Sequence, residues 1–104
     1  MERADIAIIG TGPAGVSAAI TAKVRGKKVL LFGSRELSSK LTKAHKIQNY
    51  PGLPDIDGAQ LAQAFKKHLD VLEIPITEKQ VTAVYAMGGY FGIQMPDAML
   101  EASS

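Results

Sequence analysis

The sequence predicts an α/β fold, a Rossmann-like βαβ segment followed by a three-stranded β-meander. Three observations predict it. An apolar run, Ile6-Ala7-Ile8-Ile9, stops at Gly10, Gly12 and Gly15, spaced G-x-G-x-x-G. A helical stretch of small residues then leads to a second apolar run, Val29-Leu30-Leu31-Phe32. Toward the C-terminus, short strand-like runs alternate with Gly-Gly and Pro-Asp turn pairs.

The first run has the continuous apolar character of a strand buried on both faces. Each glycine after it has a separate task. Gly10 permits the sharp exit from the strand, Gly12 lets backbone approach a pyrophosphate, and Gly15 lets the helix lie close to the sheet. Pro13 suits the first helical turn, where its missing N–H needs no partner. Free N–H groups at that helix start attract phosphate. A glycine-rich turn without a ligand is the alternative; the strand before and the helix after favour dinucleotide binding.

The helix is expected from Pro13 to about Arg25, with Ala14, Ala18, Ala19 and Ala22 as a flat face for the sheet. Gly26 stops it, and Val29–Phe32 follows as a parallel strand through a right-handed crossover. A Rossmann strand at this place usually ends in an acidic residue that binds the adenosine ribose. This one ends Phe32-Gly33-Ser34-Arg35-Glu36. Ser34 is a candidate ribose contact, Glu36 could reach back, and Arg35 would suit a 2′-phosphate. Spacing leaves these open.

Residues 37–58 form a long connection, a length that usually signals function or absent partners. Tyr50-Pro51-Gly52 within it specifies an extended residue and a turn. His45 is a lone histidine without a second metal ligand nearby. Asp57 is expected to cap a second helix, with Gln60 completing a capping box. Leu61, Phe65, Leu69 and Leu72 line its apolar side, and His68 borders that stripe as a packing residue. Ile74–Thr77 reads as a short strand. Val81–Met87, Tyr90–Met95 and Ala98–Ala102 then form the meander, turning at Gly88-Gly89 and Pro96-Asp97. Met87, Met95 and Met99 read as core filler.

Composition narrows the class. The 104 residues make one small domain at most, and 46% apolar content argues against disorder. No run approaches the ~18 apolar residues of a membrane helix. The chain has no cysteine, hence no disulfide, thiolate metal site or dithiol redox centre of its own. A formal charge of +2, with lysine pairs read as solvated surface, gives no nucleic-acid patch. Met1-Glu2-Arg3 leads into the first strand, so no signal peptide is expected and the setting reads as cytoplasmic.

At G-T-G-P-A-G, F-G-S, L-S-S-K-L-T and especially I-Q-N-Y-P-G followed by D-G-A-Q-L, the chain resembles a family. It is similar to the N-terminal FAD-binding segment of low-molecular-weight thioredoxin reductases. F-G-S-R-E-L-S-S-K-L-T is closer to the clostridial ferredoxin-dependent flavin thioredoxin reductases, in which reduced ferredoxin replaces NADPH. The resemblance covers nearly the whole chain. It implies a three-layer ββα FAD-binding fold, with FAD as cofactor and thioredoxin as partner. By position, Gly10, Thr11, Gly12, Pro13, Ala14 and Gly15 would cradle the pyrophosphate. Phe32, Gly33 and Ser34 would lie against the adenosine, and the backbone of Val81 against adenine. Lys40, Leu41 and Thr42 would follow the ribityl and flavin side, and Asn49 would contact the flavin region. Ser38-Ser39-Lys40 replaces the Gly-Gly-Gln of many relatives, which weakens the flavin-side assignments.

Such a family continues into a buried strand, a C-x-x-C domain and the rest of its FAD domain. Residues 1–104 are therefore expected to be a partial FAD-binding domain, without catalytic or metal-binding residues of its own. The parent would be a flavin-dependent disulfide oxidoreductase using thioredoxin, with ferredoxin or NADPH as donor, and the chain a homodimer. Two rivals stay open: a small NAD(P)-binding module, supported by Arg35, and an inert self-associating fragment.

Overall fold

A computed structural model describes residues 3–104. Met1 and Glu2, part of the start read above as leaderless, lie outside the described residues. In chain order the elements are β1 (Arg3–Ala4), β2 (Ile6–Ile9), α1 (Pro13–Val24), β3 (Val29–Phe32) and α2 (Ser39–Thr42). They continue with α3 (Gly58–Val71), β4 (Ile76–Thr77), β5 (Ala83–Ala86), β6 (Phe91–Met95) and β7 (Ala98–Ala102). Two sheets result. One is parallel, in the order β2-β3-β4, and the other runs β1-β7-β6-β5.

The predicted βαβ unit and the meander are both present. The meander gains a fourth strand, because β1 pairs in parallel with β7, Arg3 opposite Glu101 and Ala4 opposite Ala102. Sequence reading misses β1: two residues carry no periodicity. The chain changes sheets at Asp5. The N–H groups of Asp5 and Ile6 both donate to the Lys28 carbonyl (2.9 and 3.2 Å), and Lys28 N–H donates to Asp5 Oδ2 at 2.7 Å.

Strand β3 explains the layering. Leu31 points into a core with Val16 and Ala19 of α1 and Leu61, Phe65 and Leu69 of α3. Leu30 and Phe32 point the other way, onto Ile93, Met95 and Ala102 of the meander sheet. A strand clothed on both faces needs apolar residues at every position, which is what Val-Leu-Leu-Phe supplies. Helices, parallel sheet and meander sheet make the expected three layers.

Several expectations need correction. The buried residues of α1 are Val16 and Ala19, while Ala14 and Ala18 are exposed. Of the expected alanine face, Ala19 is buried and Ala22 half-buried, and the wider aliphatic side chain of Val16 joins them over the sheet. Ile9 is 56% exposed although its run reads as buried on both faces. Ile9 is the last residue of β2, where the chain leaves the sheet for the glycine loop, and on the outer side of the strand Ala7 N–H donates to the Ser104 carbonyl at 2.9 Å. Met95 is buried and Met99 half-buried, but Met87 is exposed at the β5–β6 turn, where its N–H donates to the Tyr90 carbonyl. His68 is exposed rather than a packing residue, since α3 turns the neighbouring Leu69 inward instead.

The long connection is built rather than loose. Isolated bridges join Ile47 to Ile56 and Tyr50 to Leu53, with Pro51 and Gly52 at the turn. The Tyr50 ring lies 5.6 Å from that of Phe65, tying the turn to α3. The capping box at Asp57 and Gln60 forms as expected, with bonds of 2.7 and 3.1 Å. No helix among the described residues is long and apolar enough to cross a membrane.

Candidate functional site

The site begins where β2 delivers the chain to α1. Gly10 N–H donates to the Phe32 carbonyl at 2.8 Å, holding the glycine loop beside the end of β3. Gly15 needs its missing side chain, because a Cβ there would strike the Gly10 carbonyl. Gly12 differs: a Cβ there would meet only Ser38 Cβ, at 3.9 Å. Its φ of −78° suits any residue. The fold therefore tolerates a side chain at Gly12, and the space beside it remains open. No side chain caps the start of α1, and Pro13 takes the position that needs no donor. An uncapped helix start beside open space fits a pyrophosphate. Ala14, which follows Pro13, is exposed there.

Thr11 links this loop to the adenosine side. It is 6% exposed, and its Oγ1 donates to the Ser34 carbonyl at 3.0 Å. Gly33 fits only as glycine, since a Cβ would lie 2.6 Å from Thr11 Cγ2 and 2.7 Å from its Oγ1. Gly33 N–H also donates to the Thr77 carbonyl at 3.1 Å. Gly33 and Ser34 then line a groove of about 240 Å³ with Glu78, Lys79 and Gln80. Ser34 is exposed, and its hydroxyl accepts from Glu36 N–H at 3.1 Å, leaving the O–H free to donate.

The two ionic candidates after β3 are both engaged. Glu36 points away from the groove to Lys66, with Oε2 and Nζ 3.1 Å apart. Arg35 meets Glu78 twice: its N–H donates to Oε2 at 3.0 Å, and its Nε lies 3.3 Å from Oε1. Lys79 is committed to Asp97 at 2.7 Å, and that hydrogen bond holds the Asp97 carboxyl below its usual range.

The remaining candidates divide. Phe32 and Val81 serve the core between the sheets, Phe32 fully buried and Val81 half-buried, while Gln80 beside Val81 faces the groove. Leu41 is a core residue, Lys40 is exposed, and Thr42 Oγ1 donates to the Ser39 carbonyl at 3.2 Å. Asn49 is exposed beside the Tyr50 turn. The pyrophosphate and adenosine candidates are thus joined through Thr11 and Gly33, whereas Lys40, Thr42 and Asn49 stand on a separate segment. Glu78 escapes the sequence reading, since it reaches Arg35 from 43 residues away without any local signal.

The chain is similar to known proteins. The family profile described as pyridine nucleotide-disulphide oxidoreductase matches residues 4–95. A ferredoxin-flavin thioredoxin reductase from Clostridium acetobutylicum is 53% identical in sequence and superposes with a TM-score of 0.96, over 100% of this chain and 36% of that one. The thioredoxin reductase of Lactococcus lactis superposes at 0.89 with 29% identity, over 98% of this chain and 34% of that one. The thioredoxin reductase of Ureaplasma parvum is 34% identical over 70% of this chain and 23% of its own length. This chain thus spans a minor part of each relative. The matched residues run from β1 to the end of β6 and take in the whole glycine loop, so the chain belongs to the pyridine nucleotide-disulphide oxidoreductase family.

Proposed function

We propose that this chain is a partial FAD-binding domain, residues 1–104, that holds the ADP half of FAD in a flavin-dependent disulfide oxidoreductase. The observation that carries it is Gly12, open to a ligand at an uncapped helix start and coupled through Thr11 to the Ser34 groove. Gly10, Gly12 and the N-terminus of α1 would hold the pyrophosphate, and Gly33, Ser34 and Gln80 the adenosine. Lys40, Thr42 and Asn49 would take the ribityl and flavin side. Bound FAD supplies two-electron transfer between a reduced donor and a disulfide. The chain has no cysteine, so the dithiol that relays those electrons stands on another segment or another chain.

Thioredoxin is the proposed acceptor and ferredoxin the proposed donor, both named in the Clostridium relative. A homodimer is proposed as well, supported by the exposed side chain of Ile9 on β2. Purification of the protein with its natural flanking sequence tests the reading. The expected product is yellow and releases FAD on acid precipitation. A colourless protein that binds NADP instead overturns it.

A further inference from the structure

The groove beside Ser34 lacks the acidic residue that usually ends a Rossmann second strand, yet a carboxylate stands in its wall. Glu78 comes from the segment after β4 and lines the groove together with Gly33 and Ser34. An ionised carboxylate has about four acceptor positions. Two are used: Oε2 by the N–H of Arg35 at 3.0 Å and Oε1 by its guanidinium at 3.3 Å. With 46% of the side chain exposed, the other positions remain open to a donor. The paired cation matters equally. An arginine at this place in a dinucleotide fold is what accommodates a 2′-phosphate. Here Arg35, 71% exposed in its side chain, has its charge met by Glu78.

We propose that Glu78 sets the nucleotide specificity of this groove, accepting a hydrogen bond from the adenosine 2′-hydroxyl and, by engaging Arg35, rejecting 2′-phosphorylated nucleotides. Three constraints hold the geometry. Thr11 Oγ1 fixes the Ser34 carbonyl, Gly33 N–H is bound to Thr77, and Arg35 N–H is bound to Glu78. The loop after β3 is thus fastened on both sides, so the carboxylate and the Ser34 hydroxyl keep a fixed relation. A 2′-phosphate entering between them would meet the Glu78 charge, whereas a hydroxyl would donate to it.

The inference rests on reading this groove as the adenosine site. Calorimetric titration of the flavin-free full chain with ADP, 2′-deoxy-ADP and 2′-phospho-ADP tests both. Wild type is expected to favour ADP about tenfold over each of the other two, the effect of one hydrogen bond to a charged group. Glu78→Gln removes the charge that neutralises Arg35 and should raise 2′-phospho-ADP affinity about tenfold; adding Arg35→Ala should remove that gain. Glu78→Ala should erase the preference for ADP over 2′-deoxy-ADP. Each ratio is taken on one preparation, so partial loss of folded protein cancels. If Glu78→Gln does not fold, Glu78→Ala decides by the same ratio: it should raise 2′-phospho-ADP affinity relative to ADP about tenfold. Wild type that binds none of the three nucleotides overturns the adenosine site and this inference with it. ADP binding with ratios unchanged in the variants overturns only the role of Glu78.

Discussion

At the residue scale, the two glycines flanking Pro13 and Ala14 separate ligand binding from folding. Gly12 has room for a side chain as far as the protein is concerned, whereas Gly15 is pressed against the Gly10 carbonyl. Gly12→Val should cost about 1 kcal/mol of stability, as a poorer residue at the helix start. It should nevertheless abolish FAD retention in the protein with its natural flanking sequence. Gly15→Ala should lower the thermal midpoint with or without ligand. Flavin content and melting curves on both variants check this; stoichiometric flavin in folded Gly12→Val rejects the cradle. Ser34→Ala should weaken ADP binding by only about 1 kcal/mol, since water can replace one neutral hydrogen bond. A loss much larger than this would mean that Ser34 carries more of the ribose contact than its exposed position suggests.

At the scale of elements, α3 and its cap hold the long connection in place. Asp57 accepts from Gln60 N–H at 2.7 Å, and Gly58 N–H donates to the Ala44 carbonyl at 2.7 Å, so the helix start and the segment after α2 are one unit. Asp57→Ala should destabilise by about 1 kcal/mol. Gly58→Ala should cost more, of order 1–3 kcal/mol, because a Cβ would meet the Leu41 carbonyl and force α2 away. Urea unfolding of both variants gives the comparison. If Gly58→Ala proves neutral, α2 does not rest on α3 in solution.

At the scale of the molecule, the outer side of β2 governs behaviour. Hydrogen bonds from Ile6 and Gly10 go toward β3 and its flank, while Ala7 donates outward to Ser104. Alternation therefore turns the N–H of Ile9 outward too, beside a side chain that is 56% exposed. An edge of this kind pairs readily with another strand. The chain on its own should dimerise, and light scattering at high concentration checks it; a persistent monomer excludes edge pairing. The same geometry limits cofactor binding. The contacts joined through Thr11 and Gly33 belong to the ADP half, while Lys40, Thr42 and Asn49 stand apart on another segment, so FAD and ADP should bind within about tenfold of each other and at micromolar strength or weaker. A nanomolar FAD affinity with much weaker ADP would show that the flavin ring is gripped as well.

What the sequence by itself determined was local. The glycine loop, the start of α1 at Pro13, the capping box at Asp57 and the Tyr50-Pro51-Gly52 turn each depend on residues a few positions apart. Their φ/ψ preferences and short-range hydrogen bonds act before any tertiary contact forms. The run Val29–Phe32 likewise announced a strand covered on both faces. Only the tertiary structure decided the rest. Ile6–Ile9 carries the same apolar signal as Val29–Phe32, yet Ile9 is exposed, because burial depends on which layers cover each face of the sheet and not on the strand's own residues. Arg35 looked free to meet a 2′-phosphate until the fold brought Glu78 against it, from 43 residues further along the chain. Thr11 is expected only as part of the pyrophosphate cradle, and it is the fold that buries it and places its hydroxyl on the Ser34 carbonyl. Charge pairing and burial are properties of neighbours in space, and a sequence lists only neighbours along the chain.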